Sequence, residues 1–356
     1  MKTAKFFFKN RGSAPGTVIY EGDTPPNPTD ISSHIISDKG FIKPDETPNA
    51  ENMREKDILW IRITGLADTD KIMNSLKPFS VNNLTMEDIF ETFHSPKQEE
   101  TQEYMFIIMR SIVMKPLMRD NQISFILKDN ILITLEEFVC DEFEIVMRRI
   151  NKRFANFYER GAEYVLYALI DSLIDNYLAV LNKIDAEVDA LEDAMAADIS
   201  LISSPKDSGN LFGIKRRINF LSRHTRSSYD IVNNLLKRSS EMRSGSDSGI
   251  DITPYYEDLF EHSAYLNEAI QSCKDSIRSL YDENMSRMQI KSNNFVNILT
   301  MLSTLMLPSM VIGGIFGMNF SNIPGLSSPY GFALSVAAML GTSAILAWFF
   351  KKKKFF

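Results

Sequence analysis

Four short apolar runs rich in β-branched residues, at 58–63, 104–114, 123–127 and 131–135, are each bounded by polar or Gly/Asn positions. That pattern predicts strands. From about 151 to 200, again from 211 to 243, and from Pro254 onward the apolar positions recur at helical spacing, with Ser-Gly-Ser-Asp-Ser-Gly at 244–249 marking a loop. Pro254 suits a first helical turn, where its missing N–H costs nothing. If the last helix runs unbroken to Phe316 it holds about 63 residues and is about 95 Å long, a stalk over 254–294 that continues into an apolar segment. Residues 12–55 are rich in Pro, Ser, Asp and Asn without an apolar period. Such a composition predicts an extended or disordered stretch, so residues 1–56 are expected to be a flexible leader.

The charge pattern divides the chain more sharply than the hydropathy average does. Between Asn293 and Phe350 there is no Asp, Glu, Lys or Arg. Residues 295–316 and 330–350 are each about 21 residues long, enough to cross a hydrocarbon core of about 30 Å as a helix. Trp348, Phe349 and Phe350 close the second span and are followed by Lys351 to Lys354, while Arg278, Arg287 and Lys291 precede the first. Basic flanks on both outer ends place both on the cytoplasmic side. The expectation is a multi-pass plasma (inner) membrane protein with cytoplasmic termini, a cytosolic domain at 57–253, an outer loop at 317–329 and a basic tail at 351–356. Pro308 lies inside the first span, where neighbouring helices can satisfy the carbonyl it leaves without an amide. Gly313 and Gly314 allow helices to approach closely.

Composition removes several other classes. The chain of 356 residues carries a formal charge of -7, and without a basic stripe interleaved with aromatics it has no footprint for nucleic acid. Cys140 and Cys273 show neither a disulfide framework nor metal spacing, which fits a reducing compartment. The start, MKTAKFFFKNRGSAPG, has too short an apolar core for a signal peptide. No GxxxxGK[ST] segment is present, and no nucleophile and base stand out by spacing, so an enzyme, a nucleotide site and an organic cofactor are not expected.

The loop between the spans, GMNFSNIPGLSSP, has no ionisable acid or base, so any cation selection there must use neutral oxygens. Taken alone, its first residues also fit a simple helix end, with Gly317 left-handed and Asn319 capping a turn. Gly317-Met318-Asn319 directly after a first span, with a second span and a lysine run behind it, resembles the signature of the CorA family of divalent cation (Mg²⁺/Co²⁺/Ni²⁺) transporters. Upstream, Leu84-Thr85-Met86-Glu87-Asp88-Ile89 with His94-Ser95-Pro96-Lys97, and Tyr164-Val165-Leu166-Tyr167-Ala168-Leu169-Ile170-Asp171, look like that family's cytosolic domain. The resemblance covers roughly 57–356.

It implies an α+β fold: an N-terminal cytosolic mixed α/β domain, a long stalk helix and a two-helix transmembrane hairpin, assembled with membrane lipid around it as a homopentameric channel. Asn293, Val296, Leu299, Ser303, Leu307, Met310 and Gly314 recur at three- and four-residue spacing and share one helical face, although any apolar helix yields such a series. In the family's pattern this face lines the pore, and Gly317, Met318 and Asn319 cap it outside. Met310 stands where the family usually has Thr, and Phe316 where a Tyr often precedes the motif. Acidic residues crowd the helices, and most read as solvated face. By resemblance, Asp88 and Asp282 match positions that bind regulatory Mg²⁺ between subunits, Asp258 is a further acidic position, and Glu87 adjoins Asp88.

The leading expectation is therefore passive entry of hydrated Mg²⁺, the ion being both cargo and regulator. A Zn²⁺, Co²⁺ or Ni²⁺ transporter is an alternative, but His34, His94, His224 and His262 all lie outside the spans. A membrane-tethered sensor without conductance is the alternative from another class.

Overall fold

The computed structural model describes residues 18–22, 26–44, 53–54, 56–114, 118–152, 157–197, 205–243, 251–320, 323–325 and 328–352. They fall into two units, Met1–Arg278 and Ser279–Phe356. The first is built on a seven-stranded sheet of β1 (Asp30–Ser37), β2 (Gly40–Ile42), β3 (Ile58–Thr64), β4 (Lys97–Glu100), β5 (Met105–Val113), β6 (Arg119–Lys128) and β7 (Ile131–Glu136). Its order is β2-β1-β3-β7-β6-β5-β4. The β3–β7 pair is parallel, and the other neighbours are antiparallel.

Alternation along the central strands sends side chains to two helical layers. On one face Leu59, Ile61, Ile63, Phe106, Ile108, Ile126, Ile133 and Leu135 pack with residues of α1 (Thr69–Leu76) and α2 (Asn83–Phe90). On the other, Trp60 and Phe125 meet Phe143 of α3 (Asp141–Asn151) at ring separations of 6.5 and 5.9 Å. Buried Arg62 joins β3, β7 and α3 there. It holds Glu136 through two nitrogens at 2.6 and 2.9 Å, and Glu144 at 2.5 Å.

The four expected strands are present, as β3, β5, β6 and β7. The flexible leader is corrected. Residues 30–42 form β1 and β2, and β1 pairs with β3 over seven positions from Asp30↔Thr64 to Ile36↔Ile58. Its sequence, DISSHIIS, hides the strand because polar Ser33 and His34 are among its buried residues. His34 earns its place by stacking on Phe41 at 4.8 Å, so an aromatic contact substitutes for an apolar side chain. Residues 1–17, the loop at 244–249 and the tail beyond Lys352 lie outside the described residues.

Three long helices follow: α4 (Phe157–Ala197), α5 (Pro205–Arg243) and α6 (Thr253–Phe316). Gly161 bends the start of α4 with a φ of 79°, a value that a residue with a Cβ adopts only at a cost. The first turns of α6 are held by rings: Tyr255 packs on Tyr164 and Tyr167 at 5.0 and 5.4 Å, and the Arg160 guanidinium lies 4.9 Å from the Tyr255 centroid. Further along, Phe260 meets Tyr229 of α5 at 5.0 Å, and Lys274 donates to Ser222 at 2.6 Å. Helix α6 continues without a break through Pro308, and α7 (Gly331–Lys352) completes the second unit.

Candidate functional site

In the second unit the two apolar helices touch along narrow stripes. On α6, Met301, Thr304, Leu305, Pro308, Ser309, Ile312 and Phe316 are wholly or partly covered. On α7 the partly covered residues are Gly331, Ser335, Met339, Ser343, Leu346, Ala347 and Phe350. Ser343 donates to the Leu305 carbonyl at 2.9 Å, and a methyl group placed on Gly313 would lie 3.6 Å from Met339 Cε. The seven residues assigned to a pore face, Asn293, Val296, Leu299, Ser303, Leu307, Met310 and Gly314, are all exposed. Exposure is common in this unit, but position is not. At about 100° per residue this face points roughly opposite the α7 stripe.

Few polar groups lie on that face. Ser303 donates to the carbonyl of Leu299 at 2.9 Å, which turns its hydrogen inward and leaves its oxygen as an acceptor. Asn293 marks the end nearest the first unit in sequence. Gly317 does not adopt the left-handed conformation of a helix stop. Its N–H instead bonds to the Gly313 carbonyl at 2.9 Å, extending the ladder by one residue, and a Cβ there would sit 3.0 Å from the same oxygen. Met318 closes the last turn onto Ile315 at 3.3 Å, and Asn319 follows, exposed. Gly331 begins α7 where a Cβ would lie 2.3 Å from the Gly325 carbonyl, so the loop folds tightly over that helix start.

The acidic candidates do not form one cluster. Asn82 caps α2 by accepting from Thr85 N–H at 2.7 Å, which sets Glu87 and Asp88 on its last turns. Asp88 is engaged at both oxygens, by Lys97 Nζ at 2.6 Å and His94 Nε2 at 3.1 Å. Burial alone would raise its pKa, but the hydrogen bonds from His94 and Lys97 outweigh that and hold the carboxyl below its ordinary range. The same bond to Asp88 raises His94 against its burial, helped by Glu91, whose Oε2 is 3.0 Å away. Asp258 is exposed and 3.7 Å from His262, and it adds to a negative field around Asp171. Burial, and next the charge of Asp175, push Asp171 up from 3.8 to about 6. Asp282 is exposed and lies in the second unit.

Among the described residues of one chain, no three His, Cys, Asp or Glu side chains converge as a metal site. Carboxylate oxygens suit a hard cation such as Mg²⁺. Those of Asp88 already have an ammonium and an imidazole, however, so an ion at Asp88 has to displace or share them. Sequence reading missed this pairing, although His94 and Lys97 stood in the motif: β4 brings Lys97 back beside α2, a contact that spacing does not reveal. It also missed Ser343, one of several hydroxyls in an apolar helix.

A family profile described as CorA-like Mg²⁺ transporter protein matches residues 55–352. The chain is 27% identical over 352 residues to the cobalt/magnesium transport protein CorA of Thermotoga maritima, covering 97% of each. The solved structure of the CorA magnesium transporter from Methanocaldococcus jannaschii is similar with a TM-score of 0.76 at 21% identity, covering 90% of this chain and 97% of that one. The cytoplasmic domain of ZntB from Vibrio parahaemolyticus aligns with a TM-score of 0.56 at 14% identity, covering 72% and 97%.

Proposed function

The chain belongs to the CorA-like Mg²⁺ transporter family, a family of transporters and not of enzymes, and from that premise we propose that it conducts hydrated Mg²⁺, and with it Co²⁺ or Ni²⁺, passively into the cytosol. Several copies, five by the family resemblance, surround an axis with the Asn293-to-Gly314 face of α6 turned inward. The observation that carries this reading is the placement of that face opposite α7, leading directly into the uncharged Gly317-Met318-Asn319 turn.

Mg²⁺ gives up its six waters reluctantly, so a pore that strips them must replace them with near-ideal oxygen ligands. A ring of Asn319 amides and backbone carbonyls instead accepts hydrogen bonds from the water shell, which is selective yet weak enough to release the ion. Below it, Leu299, Leu307 and Met310 form apolar rings that close by dewetting, and Asn293 offers a polar ring at the inner end. With Met310 at its level, the wall there offers no hydroxyl to the ion's waters. The membrane potential favours entry of a divalent ion by about 4.6 kcal/mol per 100 mV, so no nucleotide is required.

Control comes from cytosolic Mg²⁺ acting at Asp88, with Glu87, Asp258 and Asp282 as further carboxylates contributed by neighbouring subunits. A divalent ion competes with Lys97 and His94 for Asp88. Its occupancy favours the packed, closed assembly, and its loss releases it. Basic Lys351 and Lys352, the latter with its ammonium 5.1 Å from the Trp348 ring, anchor the end of α7 at the cytoplasmic interface.

Flux of Mg²⁺, Co²⁺, Ni²⁺ and Zn²⁺ into proteoliposomes, for the parent protein and Asn319→Ala, tests the reading. Mg²⁺ entry that drops in the variant supports it. Zn²⁺ entry without Mg²⁺ favours the softer-metal transporter, and no flux of any ion favours a tethered sensor.

A further inference from the structure

Hydroxyl groups in the apolar hairpin mostly fold back on their own helices. Thr300 donates to Val296, Ser303 to Leu299 and Thr304 to Thr300 in α6, while Ser335 donates to Phe332 and Thr342 to Ala338 in α7. Ser343 behaves differently: its hydroxyl crosses to α6 and donates to the Leu305 carbonyl at 2.9 Å. The acceptor's position gives this bond its meaning. Pro308 has no N–H for the Thr304 carbonyl, so α6, although helical throughout this stretch, is one ladder bond short at this turn. Thr304, Leu305 and Pro308 are all partly covered, and Leu305 is the one that Ser343 of α7 reaches. The crossing bond therefore falls within the turn that the proline leaves one hydrogen bond short, where apolar surroundings offer no water as a substitute.

We propose that Ser343 is a positioning residue for conduction, a hydrogen-bonded prop from α7 that fixes how far α6 opens at Pro308. The proposal rests on the reading of α6 as the pore helix. By holding the Pro308 side of α6, Ser343 sets the orientation of Leu307 and Met310 on the opposite side. Glycine spacing sets the approach of the helices at Gly313 and Met339, one to two turns away, and Ser343 supplies the directional part of the contact.

The test uses the full chain in lipid nanodiscs and in proteoliposomes, with Ser343→Ala, Ser343→Thr, Pro308→Ala and the Ser343→Ala/Pro308→Ala pair. Hydrogen exchange of the peptide containing Ser309 and Met310 reports the opening of the turn without reference to transport. Ser343→Ala should speed that exchange, and lower Mg²⁺ flux, by about threefold, the scale of one interhelical hydrogen bond in a membrane protein. Ser343→Thr, which keeps the hydroxyl, should remain near the parent in both. With Pro308→Ala the regular ladder is restored, so adding Ser343→Ala should change exchange little. Equal effects of Ser343→Ala with and without Pro308, or a threonine variant as impaired as the alanine one, would overturn the proposal. A parent protein without flux would instead refute the transport reading, and exchange would still decide whether Ser343 props the turn.

Discussion

Helices α4 and α6 each contain a stretch long and apolar enough to span a membrane, yet 67% of that stretch in α4 is buried inside its own fold, against 6% in α6. In α7 the share is 0%. The helices differ less in hydropathy than in what surrounds them. Leu166, Leu169, Ile170, Leu173 and Tyr177 of α4 are covered by protein, and Tyr177 donates its hydroxyl to the Arg110 carbonyl in β5. The exposed side chains of α6 and α7 include Phe295, Leu307, Met310, Phe332 and Leu340. Large contiguous apolar surface of this kind requires lipid or further subunits to cover it. Apolar content alone therefore does not identify a membrane helix; an apolar surface that the chain itself leaves uncovered does, and charge marks it in advance. Asp171 and Asp175 interrupt α4, while no charged residue occurs from Asn293 to Phe350.

Parallel truncations would break this comparison if it were wrong. Leu173→Ala, at a fully buried site in α4, should destabilise the detergent-solubilised protein by about 2–5 kcal/mol, seen as a lower melting temperature. Leu307→Ala, exposed on α6, should leave the melting temperature nearly unchanged and alter conductance instead. Asn319→Ala should reduce Mg²⁺ flux tenfold or more, roughly the loss of one good polar contact to the hydrated ion. Because the substituted residue is exposed, thermal stability should not follow.

Electrostatics sharpens the contrast within the first unit. Asp171, pushed up to about 6 by burial and Asp175, holds its proton more tightly folded than unfolded. Its contribution is thus fully present below about pH 4 and lost as the pH rises through about 6. Asp171→Asn should remove that pH dependence and raise stability at pH 7 by about 1 kcal/mol, discounted from the full linkage value because the carboxyl retains some solvent. Melting curves between pH 4 and 8 measure both. The smallest effect is expected at Asp88. Lys97→Met removes the competing ammonium, so inhibition by internal Mg²⁺ should tighten about threefold, as expected for a partly exposed pair. Asp88→Ala should weaken it, and unchanged inhibition in both variants would remove Asp88 from control.

Much of this was legible in advance because it follows from periodicity. β3, β5, β6 and β7 are apolar runs buried on both sides, and the two spans are charge-free segments of membrane length. The tripeptide at 317–319 stood out through its position directly after an apolar segment, and its part in ion selection is a proposal. β1 was not, since Ser33 and His34 are buried through pairing with β3 and stacking on Phe41, relations between distant residues that leave no local period. For the same reason the Asp88–His94–Lys97 pairing and the Ser343–Leu305 bond were hidden. Each depends on which segments fold back against one another, across 9 and 38 residues.

The central claim is that the α6 face opposite α7 surrounds an axis shared by several copies. Identical positions on different copies meet only near such an axis, so oxidative cross-linking of single cysteine variants in membranes tests it most directly. Cys140 and Cys273, both buried and unpaired, give little background. Leu307→Cys should form disulfide-linked dimers, whereas Ile312→Cys, on the α7 side, should not; cross-linking at Ile312 and none at Leu307 would contradict the account.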